Sequence, residues 1–167
     1  MNLSERTHLL YVVPLRLWIG YYMANQGIRK FQRDFPHGDW ITKQIGELDK
    51  IDIYPWYKSF LADIVVPHSV LFGNLVMWGE ILVGACLILG LLTRWSAFVG
   101  LFMMVNYALG PGMARGGAPL AQQETFAVAF LVFILCSPGR TLGLDGLFSR
   151  KQLVKPQRRG PPPPGNR

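Results

Sequence analysis

Residues 81–92 read ILVGACLILGLL, and no face of a helix drawn through this stretch carries a polar side chain. A helix that is apolar all round lies in lipid, or in a core larger than a chain of 167 residues can build. The stretch belongs to an apolar run over 70–92, which is long enough to cross about 30 Å of hydrocarbon. The alternative, a soluble helical protein with an unusually apolar core, fails on this stretch.

Apolar runs of similar length occur elsewhere, at 9–28, 95–113 and 120–138. Together they predict an all-α fold, namely an integral membrane four-helix bundle formed by residues 1–148. The first run has a central Arg16 and no clear cleavage site, so it is expected to be a retained span and not a removed signal peptide. Residues 149–167 are basic and Pro-rich, which predicts a disordered tail.

The basic residues are unevenly distributed. The formal net charge is +7, and seven basic residues follow the last apolar run against one acidic residue, Asp145. Four spans would place both termini on one side, together with the short turn at Arg94. By the positive-inside rule that side is cytoplasmic, which predicts an N-in/C-in, multi-pass protein of the plasma membrane. This placement favours anionic lipid as the partner of the tail and argues against nucleic acid.

The connection between the first two spans, residues 29–67, is too long to be an idle linker in so small a protein. It contains amphipathic stretches at 39–48 and 55–65, with several aromatic side chains. Aromatic residues beside a membrane usually lie at the headgroup level. We therefore expect a long, partly helical extracytoplasmic loop between helices 1 and 2.

Two charged residues fall well inside the predicted spans. Arg16 is about 10 Å from the inner surface, and Glu80 is about 15 Å from the outer one, at about 1.5 Å per residue. Each lies on a stripe of small residues, which allows close helix approach. We expect Arg16 and Glu80 to form an intramembrane pair. The pair either only locks the helices together, or it serves as a site for a quinone headgroup or a proton.

A second polar set lies near the predicted outer face. Its candidate substrate-binding residues, which could attract a small oxyanion, are Lys30, Arg115, His68 and Glu124. Interfacial snorkelling is the alternative for basic residues at this depth. Asn106 and Tyr107 are interpreted as packing contacts between helices.

Metal and cofactor signatures are missing from the sequence. Its histidines lie at or beyond the span ends, and neither a C-x-x-C-H motif nor zinc-type spacing occurs. We predict no metal and no covalent cofactor. Any redox chemistry would then use a membrane quinone or electrons from a partner subunit.

Three motifs resemble the DoxX/DoxD family of small four-helix membrane proteins. They are Arg16-x3-Gly20-x6-Gly27-x2-Lys30, Gly79-Glu80-x3-Gly84-x5-Gly90-Leu91-Leu92-Thr93-Arg94 and Gly139-Arg140-x3-Leu144-Asp145. The long outer loop is more similar to the DoxD-type small subunit of thiosulfate:quinone oxidoreductase than to the shortest members. The resemblance implies a bacterial or archaeal plasma membrane protein. It also implies thiosulfate oxidation with electrons passed to quinone, together with a second subunit.

The function remains open between two main hypotheses. The first is a quinone-linked oxidoreductase subunit, with quinone near Glu80 and a sulfur compound or other anion at the outer set. The second is a non-catalytic accessory or assembly subunit of a larger membrane complex. Transport of a small solute is less favoured, because the chain shows no inverted repeat and no pair of broken helices.

Overall fold

The computed structural model describes residues 10–48, 54–112 and 117–146, and the regular elements of these ranges are all helical. The helices are α1 (Val13–Gln32), α2 (Trp40–Leu48), α3 (Pro55–Phe60), α4 (Ser69–Leu89), α5 (Thr93–Tyr107) and α6 (Gly117–Cys136). A π turn follows α3 at Leu61–Val65, another follows α5 at Ala108–Gly112, and a 3-10 turn, Pro138–Arg140, follows α6. The predicted all-α class is confirmed. The tail 149–167 lies outside the described residues.

Two helices, α4 and α6, are long and apolar enough to cross a membrane, judged by length and composition. Helix α1 is of similar length but carries Arg16, Arg29 and Lys30, and α5 has 15 residues before its π turn. The four-span topology with both termini inside therefore stays a prediction.

The first long helix lies further along the chain than the apolar run 9–28 suggests. Helix α1 begins at Val13, with Pro14 in its first turn, and continues to Gln32. Proline is tolerated there because the first amides of a helix have no partner within it. The shift places Arg16 near the start of the helix and Lys30 within its last turn.

The long helices pack side by side. Helix α1 contacts α4, α4 contacts α5, and α5 contacts α6. Tyr22 on α1 joins α6 through a hydrogen bond from Gln122 Nε2 (2.5 Å) and an edge-on contact with Phe126 at 4.9 Å between ring centroids. Each long helix therefore has a neighbour on either side.

The exterior of the assembly is unusually apolar, while a few polar side chains are buried within its apolar core. Arg16, Glu80 and Thr93 are buried. Large apolar side chains cover the outside of all four long helices, among them Trp18, Leu75, Phe102 and Leu135. A continuous apolar exterior around buried charges is typical of a protein surrounded by lipid.

The loop between α1 and α4 folds into a unit that we call the cap, consisting of α2, α3 and the π turn Leu61–Val65. The amphipathic stretches 39–48 and 55–65 are thus helical as predicted. The buried residues of the cap are Tyr57, Leu61 and Val65, which pack with Phe72 of α4 and with Leu109 in the π turn after α5.

The connection from α4 to α5 is held by Asp145. Gly90 ends α4 in the left-handed region (φ 64°), and the amide of Leu91 donates to the carbonyl of Cys86 (2.9 Å), as in a Schellman motif. The Asp145 carboxylate accepts from the Leu92 amide (2.7 Å), the Thr93 amide (2.9 Å) and the Thr93 hydroxyl (2.8 Å). The G-L-L-T-R and G-R-x3-L-D motifs therefore meet as a helix cap.

The Asp145→Ala substitution is expected to lower the free energy of unfolding by about 1–2 kcal/mol, because the first amides of α5 lose their acceptor. Thermal unfolding in lipid nanodiscs measures the effect. Asp63→Ala is the matched control, since Asp63 is exposed within the π turn Leu61–Val65 and is not a cap residue of that turn. An equal loss in both variants would contradict the capping role.

Close approach of α1 and α4 also predicts different effects for two glycines of α4. A Cβ at Gly84 would lie 2.6 Å from the carbonyl oxygen of Gly20, whereas one at Gly79 would meet only the flexible side chain of Met103, at 3.4 Å. Gly84→Ala is expected to destabilise by about 1–3 kcal/mol through overpacking. Gly79→Ala should be neutral or stabilising by up to about 1 kcal/mol, since alanine favours helix. Thermal unfolding of both variants in lipid nanodiscs measures these effects. Equal melting temperatures for Gly84→Ala and Gly79→Ala would contradict the prediction.

Candidate functional site

Glu80 lies in the middle of α4 and is 2% exposed. Its Oε1 atom accepts from Lys30 Nζ of α1 (2.6 Å) and from the Tyr107 hydroxyl of α5 (2.7 Å). Lys30 Nζ also donates to the Tyr107 oxygen (3.0 Å), which closes a triangle across three helices. We call these three residues the outer cluster.

Lys30 forms the accessible edge of the outer cluster. Its side chain is 22% exposed, whereas Glu80 is almost completely buried. The ammonium lies 5.3 Å from the ring centre of Phe35 and 5.0 Å from that of Tyr107. These cation–π contacts stabilise a charge that has left water. An ion from the outside would therefore meet Lys30 before Glu80.

The second carboxylate oxygen of Glu80 is not satisfied. Its Oε2 atom is buried and has no hydrogen-bond partner in the part of the chain that the structure describes. A buried oxygen left in this state costs about 1–3 kcal/mol, so a further donor at Oε2 would be favourable. A proton on the carboxyl group or a hydroxyl of a bound molecule would supply that donor.

The predicted Arg16–Glu80 pair is wrong. The guanidinium of Arg16 donates to the carbonyl oxygens of Pro138 (3.2 Å) and Leu142 (2.6 Å), at the opposite end of α1 from Lys30. Arg16 Nε is buried and finds no partner among the described residues. Arg16 thus holds the turn after α6 in place, which is a structural task.

The helix register explains this difference. A Cβ at Gly20 would meet Ile88, and a Cβ at Gly27 would meet Ile81, so the two antiparallel helices bring Glu80 close to the outer end of α1. Lys30 follows Arg16 by fourteen residues, which is about 21 Å along a helix. Glu80 cannot reach both cations, and the register assigns it to Lys30.

The other predicted substrate-binding residues do not join the outer cluster. His68 is exposed, and its Nδ1 contacts the Ile64 carbonyl one turn back (3.0 Å). Glu124 is exposed on α6. Neither hydrogen-bonds to Lys30 or Glu80 within the described residues, and Arg115 lies outside them. Their roles in substrate binding stay predictions.

The residue that sequence reasoning undervalued is Tyr107, interpreted above as a packing contact. It is the second donor to Glu80. Its signal in the sequence is a hydroxyl-bearing side chain near the end of an apolar run, which marks a group that needs a partner inside the membrane.

Breaking the ion pair from one side is expected to destabilise the protein. Lys30→Met leaves Glu80 as an uncompensated buried charge and should cost about 3–5 kcal/mol. The Lys30→Met/Glu80→Met double variant should recover most of that loss. Thermal unfolding of the wild type, both single variants and the double variant completes a double-mutant cycle. Arg29→Met is the control, because Arg29 is an exposed neighbour of Lys30. Strictly additive losses would show that the pair has no coupling energy.

Comparison with known proteins gives one match. The DoxX family model matches residues 11–109, a region that contains all three residues of the outer cluster. No curated protein and no solved structure matches the chain. The matched region covers more than half of the 167 residues. Together with the two helices that can cross a membrane, it shows that this chain is a membrane protein that belongs to the DoxX family.

Proposed function

We propose that this DoxX-family protein is the membrane subunit of a quinone-linked oxidoreductase, and that a quinone headgroup exchanges protons at the outer cluster. Its long helices form a four-span bundle in a bacterial or archaeal plasma membrane, with both termini in the cytoplasm. The apolar exterior and the concentration of basic residues after α6 support this topology.

The observation that carries the proposal is the unsatisfied Oε2 of Glu80. A quinol hydroxyl is a donor of the right kind for a buried carboxylate oxygen, and a proton on that oxygen can be donated to a quinone carbonyl. Reduction of a quinone takes up a pair of electrons and a pair of protons. Glu80 supplies one of these protons from Oε2, and Lys30 and Tyr107 stabilise the carboxylate that remains at Oε1. The second proton comes from water at the partly exposed edge of the site beside Lys30, and the two electrons come from the donor proposed below.

The position of the site suits a lipid-soluble substrate. A quinone reaches it through lipid, along the apolar outer surfaces of the helices. Lys30 lies at the edge of the site and is partly exposed, so a modest movement of its side chain opens a path to Glu80. Long, flexible lysine side chains move in this way at membrane interfaces.

The electron donor is proposed to be a small sulfur oxyanion such as thiosulfate, oxidised together with a second subunit. Arg29 and Arg33 are exposed at the end of α1 that carries Lys30. Clustered basic side chains raise the local concentration of anions. The thiosulfate itself rests on the likeness to DoxD-type proteins and not on a contact in the structure.

A non-catalytic accessory subunit is the second candidate, and the burial of Glu80 favours it. Glu80 is 2% exposed, and its triangle with Lys30 and Tyr107 is already closed. In this case the outer cluster locks the three helices together and no substrate enters it. The two candidates differ in whether quinone binds.

Purification with native lipid, followed by mass spectrometry for quinone and for co-purifying subunits, tests the proposal. We expect bound quinone in the wild type and in the Asp39→Asn control, which changes an exposed acid of the cap region. Glu80→Gln removes the carboxylate that exchanges the proton, and occupancy should fall about tenfold, equivalent to one strong hydrogen bond. A wild type with neither quinone nor a redox partner would overturn the quinone-linked proposal.

A further inference from the structure

A hydrogen bond connects the cap to the helix that carries Tyr107. Tyr57 of α3 is 5% exposed, and its hydroxyl donates to the backbone carbonyl of Asn106 (3.1 Å). Asn106 directly precedes Tyr107, the phenol that donates to Glu80. One peptide unit therefore separates a side chain of the extramembrane cap from a side chain of the outer cluster.

The backbone at this point departs from regular helix. Pro111 has no N–H to donate to the carbonyl of Tyr107 four residues earlier, and the chain widens into the π turn Ala108–Gly112. Tyr107 is consequently the last α-helical residue of α5. Tyr107 lies at the junction of α5 and the π turn, so contacts with the residues on either side of it bear on the position of its side chain.

The cap makes a second contact with the same segment. Leu109, within the π turn, packs against the buried side chains of the cap, namely Tyr57, Leu61 and Val65. The cap therefore holds both sides of Tyr107, through a hydrogen bond at Asn106 and apolar packing at Leu109. Burial raises the pKa of the Tyr57 phenol above its ordinary value, so its hydroxyl stays protonated and able to donate.

We propose that Tyr57 is a positioning residue, which fixes the outer end of α5 and so holds the Tyr107 hydroxyl against Glu80. The connection itself rests on the contacts above. Its consequence for quinone chemistry rests on the proposed function. Tyr57 touches neither the outer cluster nor a substrate, and acts only through the Asn106 carbonyl.

The test places 3-fluorotyrosine at position 107 of the full chain in lipid nanodiscs and records its fluorine NMR signal. Tyr57→Phe keeps the ring in the cap and removes only the donor. Tyr54→Phe is the matched control, because Tyr54 belongs to the same part of the chain, is 52% exposed and stacks on Trp56. Glu80→Gln marks the signal of a Tyr107 that has lost its charged acceptor.

We expect the Tyr107 signal to move in Tyr57→Phe towards its position in Glu80→Gln, and to stay unchanged in Tyr54→Phe. Loss of simple packing in the cap would not reproduce this, since both variants retain an aromatic ring. Identical spectra for Tyr57→Phe and Tyr54→Phe overturn the proposal.

Quinone measurements on the same variants separate this inference from the proposed function. If quinone binds and Glu80→Gln weakens it, Tyr57→Phe should slow quinone reduction on the order of fivefold, the effect of one hydrogen bond. A shifted Tyr107 signal with no bound quinone in the wild type supports the positioning role and removes the proposed function. The opposite result is also informative. If Glu80→Gln weakens quinone binding but the Tyr107 signal stays unmoved in Tyr57→Phe, the proposed function is supported and the positioning role of Tyr57 is removed.

Discussion

Close contact between α1 and α4 determines where the buried charges of this protein can be placed. The backbones approach so closely that a Cβ at Gly84 would contact the backbone of Ala24, and one at Gly27 would meet the backbone of α4. Between helices in lipid, this packing replaces the hydrophobic driving force available in water. It sets the register of the two helices, in which Gly20 lies against Ile88 and Gly27 against Ile81. The register then decides that Glu80 faces Lys30.

Arg16 and Lys30 of α1 are satisfied in different ways, Arg16 by backbone carbonyls and Lys30 by side chains. Arg16 binds the backbone carbonyls of Pro138 and Leu142, so its partners cannot change without unfolding the turn after α6. Lys30 binds two side chains, Glu80 and Tyr107, whose hydrogen bonds can change while the helices stay in place. The proposed site is therefore the outer cluster and not Arg16.

Sequence reasoning predicted the all-α class, the helices of the cap and the burial of Glu80 between helices, because apolar runs, amphipathic stretches and a charge within an apolar run are local signals. It did not predict the partner of Glu80. That prediction counted depth from the ends of the apolar runs, whereas the contacts of Gly20 with Ile88 and of Gly27 with Ile81 set the register of α1 against α4. In this register Glu80 lies at Lys30, which is about 21 Å along α1 from Arg16. Tyr107 was undervalued for a related reason, since its role depends on three helices meeting at one depth.

The cap has a physical reason to be coupled to the outer cluster. Pro67 follows the π turn Leu61–Val65 and Pro111 lies within the π turn Ala108–Gly112, and neither proline has an amide hydrogen to donate to the turn before it. Leu109 packs against the buried side chains of the cap, and the Tyr57 hydroxyl donates to the Asn106 carbonyl. The Tyr57 hydroxyl is therefore a contact through which a displacement of the cap would reach the backbone beside Tyr107.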